Sequence, residues 1–202
     1  MGIIGAGKIA SSMGKTLQGM DTVKRYAIAA RDYERAKVFA EQYEFDKAYG
    51  SYEEMLLDPM VDLVYVATPH SHHYDQVKMC LEHGKHVLCE KAFTVNEKQA
   101  RDLFAMAKER KLLLTEAIWT RYMPMRKTLE EVLASGVIGN PYMLTANLSY
   151  IIDWKERIKK PELAGGALLD IGIYTLNFAS MAFGDDIEKI TGTATFNEYG
   201  MD

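Results

Sequence analysis

Apolar residues fall into two rhythms along the first half of the chain. Short unbroken runs, closed by glycine, proline or an acid, alternate with longer stretches whose apolar positions recur every three or four residues. Ile3-Ile4 and residues 26–30, 61–67, 86–89 and 112–115 read as strands. Between them lie helices. One runs from the glycine-rich start to about Gly19. A second, capped by Asp32, runs to about Tyr43 with Ala36, Phe39 and Ala40 at helical spacing. A short one follows Ser51, with Glu54 three residues on as a capping box. Two more cover 74–82, closed by His83-Gly84, and 96–110. Strand and helix in alternation predict a doubly wound α/β domain, a parallel sheet with helices on both faces. The rhythm changes after Ala117, which divides the chain into domains 1–117 and 118–202. Pro124 opens a helix that ends at Ser135-Gly136. Residues 142–150 read as a long strand, 151–166 as irregular, 167–183 as an apolar helix and 187–197 as a further strand.

Composition narrows the class. Of 202 residues, 48% are apolar and 26% charged, enough for a core without a disulfide or metal staple. The formal charge of −4 gives no basic excess for nucleic-acid binding. Two cysteines, Cys80 and Cys89, both in apolar contexts, point to buried free thiols. No run approaches 18 apolar residues and no signal peptide is visible, so the expectation is a cytoplasmic protein with no membrane partner.

The candidate chemistry begins in the first turn. Gly5-Ala6-Gly7-Lys8-Ile9-Ala10 is a G-x-G-x-x-A sequence set between a strand and a helix. Gly5 makes the tight turn, Gly7 lets a pyrophosphate approach the backbone, and the small Ala10 lets helix and strand pack. The helix start at Lys8 and Ile9 offers free N–H groups to phosphates. This is the dinucleotide-binding arrangement of a Rossmann-type domain. The second strand ends at Arg31-Asp32. A guanidinium there favours NADP through its 2′-phosphate, while Asp32 either binds a ribose, which leaves NAD open, or caps its helix.

Two further constellations follow. Glu90-Lys91 leaves the 86–89 strand at the carboxyl edge of the sheet, where ligands bind in such folds. Asp170 and Tyr174 stand four apart, which on a helix places them on one face. A phenol near a lysine and a cofactor cation can serve as general acid or base for a carbonyl/alcohol pair. His70-Ser71-His72-His73 invites a zinc reading, but nothing nearby completes a ligand set, so no metal is expected.

The segments GIIGAGKIA, AARD, VDLVYVATPHSHH, GKHVLCEKAF and GGALLDIGIY occur in the order and spacing of the Gfo/Idh/MocA oxidoreductases, and the chain resembles that family along essentially its whole length. TEAIWTRYMP and DIGIY resemble most the branch holding the dimeric dihydrodiol dehydrogenases and glucose–fructose oxidoreductase. Tyr174 stands where most of the wider family has histidine. The resemblance implies a nucleotide held by Gly5, Gly7, Arg31 and the Thr68-Pro69 loop, with His70, His73 and Glu90 beside it and Trp119 and Arg121 lining the nicotinamide side. It implies Lys91 and Tyr174 as the groups that handle the substrate proton, with Asp170 as a substrate or orienting residue. Ala92 departs from the proline usual after that lysine, which would relax the backbone there. The implied activity is hydride transfer between NADP(H) and a carbinol carbon of a sugar, cyclic polyol or trans-diol, in a homodimer or higher homo-oligomer. A nucleotide-sensing regulator without turnover is the alternative. Family members are longer, so the implied second domain, α+β with an open, mostly antiparallel sheet, is incomplete at Asp202.

Overall fold

Ile3 and Ile4 show how the first domain is built. Neighbouring strand residues point to opposite faces, and both are fully buried, so the strand must be covered on both sides. In the computed structural model, which describes residues 1–152 and 154–202, they lie in β1 (Gly2–Ile4). β2 (Ala27–Ala29), β3 (Lys47–Tyr49), β4 (Leu63–Val66), β5 (His86–Cys89) and β6 (Leu114–Glu116) complete a six-stranded sheet, all parallel, in the order β3-β2-β1-β4-β5-β6. Ile4 pairs with Ala29 on one side and Val66 on the other, so β1 and β4 flank the point where the strand order reverses.

Two apolar layers cover the sheet. Ile3, Ile28 and Tyr65 pack with Ala10 and Leu17 of α1 (Lys8–Gln18) and with Ala36, Phe39 and Tyr43 of α2 (Tyr33–Tyr43). Ile4, Val64, Val66 and Val87 pack on the other face. Their partners are Met55 and Leu56 of α3 (Tyr52–Leu57), Val77 and Leu81 of α4 (His70–Glu82), and Leu103 of α5 (Glu97–Glu109). Each fully buried aliphatic side chain here contributes about 1.5–3 kcal/mol. The caps read from the sequence are present: Asp32 and Asn96 accept the N–H groups of Arg35 and Gln99, and Gly84 has φ +71°.

Two features of this unit differ from the sequence reading. β3 was not anticipated, because Lys47-Ala48-Tyr49 is only three residues long and half-exposed, as suits an edge strand. α4 begins at His70 rather than 74. Pro69 caps it in extended geometry, so His70-Ser71-His72-His73 forms its first turn rather than a loop. The polar start concealed the helix, since His70, His73 and Gln76 lie on its buried face.

The unit Ile118–Asp202, separate from Met1–Ala117, is helical. A 3-10 turn (Trp119–Tyr122) leads into α6 (Pro124–Ala134), which starts on proline as read. Then come α7 (Glu156–Lys159), a 3-10 turn (Pro161–Leu163), a π-helical turn (Leu168–Gly172) and α8 (Ile173–Phe183). The strands expected at 142–150 and 187–197 are not formed, and among the described residues this unit has no strand. Alternating residues supply one face, but a strand also needs a neighbour for its N–H and C=O groups, and neither segment has one. The expectation about membrane length also needs correcting. The 23-residue helical run Pro161–Phe183 is long and apolar enough to cross a membrane, by length and composition only. It was missed because glycines, Glu162 and Asp170 interrupt the apolar residues that a count of unbroken runs detects.

Candidate active site

The carboxyl edge of the sheet is where the candidate groups of the first unit gather. Gly5 turns out of β1 with φ +96°. A Cβ there would lie 2.9 Å from Ala67 O and 3.0 Å from Thr68 Cγ2, so the turn requires glycine. Gly7 is the N-cap of α1. No side chain caps the helix, its first turn carries no acid, and a Cβ on Gly7 would meet nothing within 4 Å. No side-chain cap therefore engages the N–H groups at the start of the helix, and such an uncapped, positively polarised terminus suits a phosphate. Arg31 is exposed beyond β2, and Asp32 is engaged as the cap of α2. Arg35, which the sequence reading missed, donates from Nη2 to Ala6 O at 3.1 Å and so brings a second guanidinium onto the glycine loop. Its position three residues beyond Asp32, inside the first turn of α2, was the available signal. Tyr52 lies within the field of both arginines. Burial raises its phenol, and the two cations oppose that rise.

Beside this loop, β4 and β5 deliver Thr68-Pro69 and Glu90-Lys91. Thr68 Oγ1 donates to Gln76 Oε1 at 2.5 Å. Glu90 Oε1 accepts from the Tyr65 hydroxyl and Oε2 from the Lys91 N–H at 3.2 Å. Burial pushes the Glu90 carboxyl up, against those two hydrogen bonds and the Lys91 charge. The Lys91–Ala92 peptide is cis.

His73 is fully buried, with Nδ1 2.8 Å from Ala92 O and Nε2 2.9 Å from Thr68 O. Burial depresses it to about 4, against the pull of those carbonyls, so near neutral pH it is uncharged and donates through one nitrogen. Its ring thus spans the loops after β4 and β5 and is not free to touch a cofactor, contrary to the sequence reading. His70, 7% exposed, stacks edge-on against it with centroids 5.8 Å apart. Cys80 and Cys89 are buried free thiols. Burial pushes Cys80 to about 12 and Cys89 well up as well, so neither is a thiolate nucleophile.

The second unit brings Trp119 and Tyr174 together. The indole Nε1–H donates to the phenolic oxygen at 3.0 Å, with ring centroids 6.1 Å apart at 64°. Asp170, expected to share a face with Tyr174, has an ion-pair partner in the same unit. Asp170 is 4% exposed and takes Arg157 Nη1 at 2.8 Å. A π-helical turn (Leu168–Gly172) carries Asp170 and leads directly into α8, which carries Tyr174. Arg121, which the resemblance put on the nicotinamide side, is engaged within its own unit. Its Nε and Nη2 donate to Asn177 Oδ1 at 2.5 Å and Ser180 Oγ at 2.6 Å.

Comparison with known proteins adds three findings. The family described as "Oxidoreductase family, NAD-binding Rossmann fold" matches residues 1–118, and the "GFO/IDH/MocA C-terminal domain" matches residues 127–202. The chain is 43% identical over 204 residues to human trans-1,2-dihydrobenzene-1,2-diol dehydrogenase, spanning 100% of this chain and 61% of that protein. It is 40% identical over 225 residues to the D-xylose 1-dehydrogenase (NADP(+)) of Hypocrea jecorina, spanning 98% and 58%. Among solved structures, a 3-ketoreductase from Actinomadura kijaniata in complex with NADP and TDP-benzene superposes with a TM-score of 0.78 at 32% identity, over 91% of this chain and 57% of that one. The chain therefore spans about three-fifths of the length of the curated relatives it matches.

Proposed function

The chain belongs to the GFO/IDH/MocA oxidoreductase family, and from that premise we propose that it serves an NADP(H)-dependent dehydrogenase or reductase acting on a hydroxyl-bearing carbon of a sugar, cyclic polyol or trans-diol. The observation that carries the reading is the glycine loop: an uncapped helix N-terminus with open space at Gly7, overlooked by Arg35 and with Arg31 at the end of β2. Those residues fit a dinucleotide. The N–H groups at Lys8 and Ile9 would hold the pyrophosphate, and Arg31 and Arg35 a 2′-phosphate. The Thr68-Pro69 and Glu90-Lys91 loops would border the nicotinamide half. When bound, the nicotinamide supplies or accepts the hydride. Lys91 then polarises the substrate oxygen, Tyr174 moves the hydroxyl proton, and Asp170, fixed by Arg157, orients. The relatives that act on a dihydrodiol and on xylose support the substrate class. The reading extends to a cytoplasmic homodimer, for which the two reduced, buried thiols suit the compartment.

Nucleotide titration tests the central claim. NADP(H) binds more tightly than NAD(H), and Arg31→Ala weakens NADP binding by about 1.5–3 kcal/mol, as expected for a charged hydrogen bond, with little effect on NAD. Equal affinity for the two nucleotides in the unsubstituted protein would overturn the NADP assignment. A sugar and diol panel followed by reduced-nicotinamide absorbance then decides between turnover and binding alone.

A further inference from the structure

In the second unit, one short turn reaches three positions on one helix. Trp119 and Arg121 stand two residues apart on the 3-10 turn, and their donors meet Tyr174, Asn177 and Ser180. Those three positions recur every third residue and form a stripe along one side of α8. A guanidinium carries its donors in a rigid planar fork. Two contacts three residues apart on the helix therefore fix both the distance and the rotation of the turn against α8.

The acceptors are themselves aimed. Asn177 Nδ2 donates to Ile173 O at 2.9 Å, which leaves its Oδ1 toward Arg121. The Ser180 hydroxyl donates to Asp185, which leaves its oxygen lone pairs to accept. Trp119, by contrast, is 56% exposed, so burial does not hold its indole in place.

We propose that Arg121 is the positioning residue for Tyr174: by clamping the turn to α8 it holds the Trp119 indole N–H on the phenolic oxygen, and it takes no part in binding the nucleotide. With one lone pair taken by the indole, the phenolic proton is directed away from it, which orients the group that exchanges a proton with substrate. This catalytic consequence rests on the reading of Tyr174 given above, whereas the clamp is independent of it.

The test has two arms. In the first, the indole N–H resonance of Trp119, identified by its loss in Trp119→Phe, is followed by NMR. Tyr174→Phe shifts it toward the free-indole position. Arg121→Met shifts it the same way although the indole N–H bonds to Tyr174 and not to Arg121, and Arg121→Lys, which keeps one charged donor, restores part of the shift. In the second, Arg121→Met and Trp119→Phe lower kcat alike, by roughly 10–100-fold, the scale of a small misplacement of a reacting group. The double variant falls no further than either single one, and Arg121→Met leaves the Kd for NADP unchanged. Should Arg121→Met fail to fold, Asn177→Leu combined with Ser180→Ala removes the acceptors instead and has the same expected outcome. An unmoved indole resonance in Arg121→Met overturns the clamp. A weakened NADP affinity with kcat retained overturns it in favour of a cofactor ligand. Absence of turnover in the unsubstituted protein would defeat the enzymatic reading, while the indole resonance still decides the clamp.

Discussion

Gly5 and Gly7 stand two residues apart and are glycine for different reasons, which makes them separable by experiment. Gly5 has φ +96° and backbone atoms against the site of any Cβ, so Gly5→Ala should cost about 1–3 kcal/mol of stability. Gly7 has φ −97° and open space, so Gly7→Ala should melt like the parent yet bind NADP more weakly, because its methyl occupies the approach to the helix N-terminus. Thermal melts with and without nucleotide check both outcomes. Normal NADP binding by Gly7→Ala would move the phosphate site elsewhere. His73 offers a pH test. Its folded value of about 4 lies below the ordinary 6.5, so between those values the unfolded chain binds the extra proton. The stabilisation is thus complete above about 6.5 and is lost as pH falls toward 4, by roughly 3 kcal/mol in all. Glu90, raised by burial, acts in the opposite sense, so the comparison is between variants. Denaturant midpoints of His73→Phe should fall less steeply over that acid range than those of the parent. Parallel slopes would contradict the assignment.

The elements owe their stability to junctions that no single element contains. Asp58, just beyond α3, gathers β2 and β3. Its Oδ2 accepts from Lys47 Nζ at 2.7 Å, Tyr49 at 2.6 Å and Tyr26 at 3.0 Å, and its Oδ1 accepts from the Met60 N–H at 2.9 Å. Lys85 Nζ donates to its backbone carbonyl at 2.9 Å. Those donors, Lys47 first, hold the carboxyl well below the ordinary range. The folded value is depressed, so its stabilisation is present above about pH 4 and disappears as pH falls further. Asp58→Ala should cost about 1–3 kcal/mol, because three buried or half-buried donors lose their acceptor. Lys47→Met should cost less, because that ammonium is half-exposed. Urea unfolding of the two variants tests the order, and a larger loss from Lys47→Met would refute the hub. The same dependence on partners explains what was legible at this scale. α1, α2 and α5 were readable because caps and apolar spacing are local. β3 was not, because its three residues become a strand only by pairing with β2. Residues 142–150 show the converse, an alternating pattern that forms no ladder.

In the molecule as a whole, the glycine loop, Arg31 and Arg35 lie in the first unit and Tyr174 lies in the second. Tyr174→Phe should therefore leave NADP affinity intact while lowering kcat by about 10²–10⁴-fold, the usual contribution of a general acid or base. Titration and turnover of the same sample check this, and full turnover would shift the proton role to Lys91 or water. The sequence by itself determined the parallel sheet, the glycine loop at its switch point and the family, because each rests on short-range pattern: alternation of apolar runs, a turn that only Gly5 can make, caps within four residues. Only the tertiary structure decided what the polar side chains do. His73 spans two loops, Asp170 takes Arg157, and Arg121 bonds to Asn177 and Ser180 of α8. A hydrogen bond between residues 56 or 59 positions apart leaves no periodic trace in the chain. It exists only once packing has brought donor and acceptor to within about 3 Å.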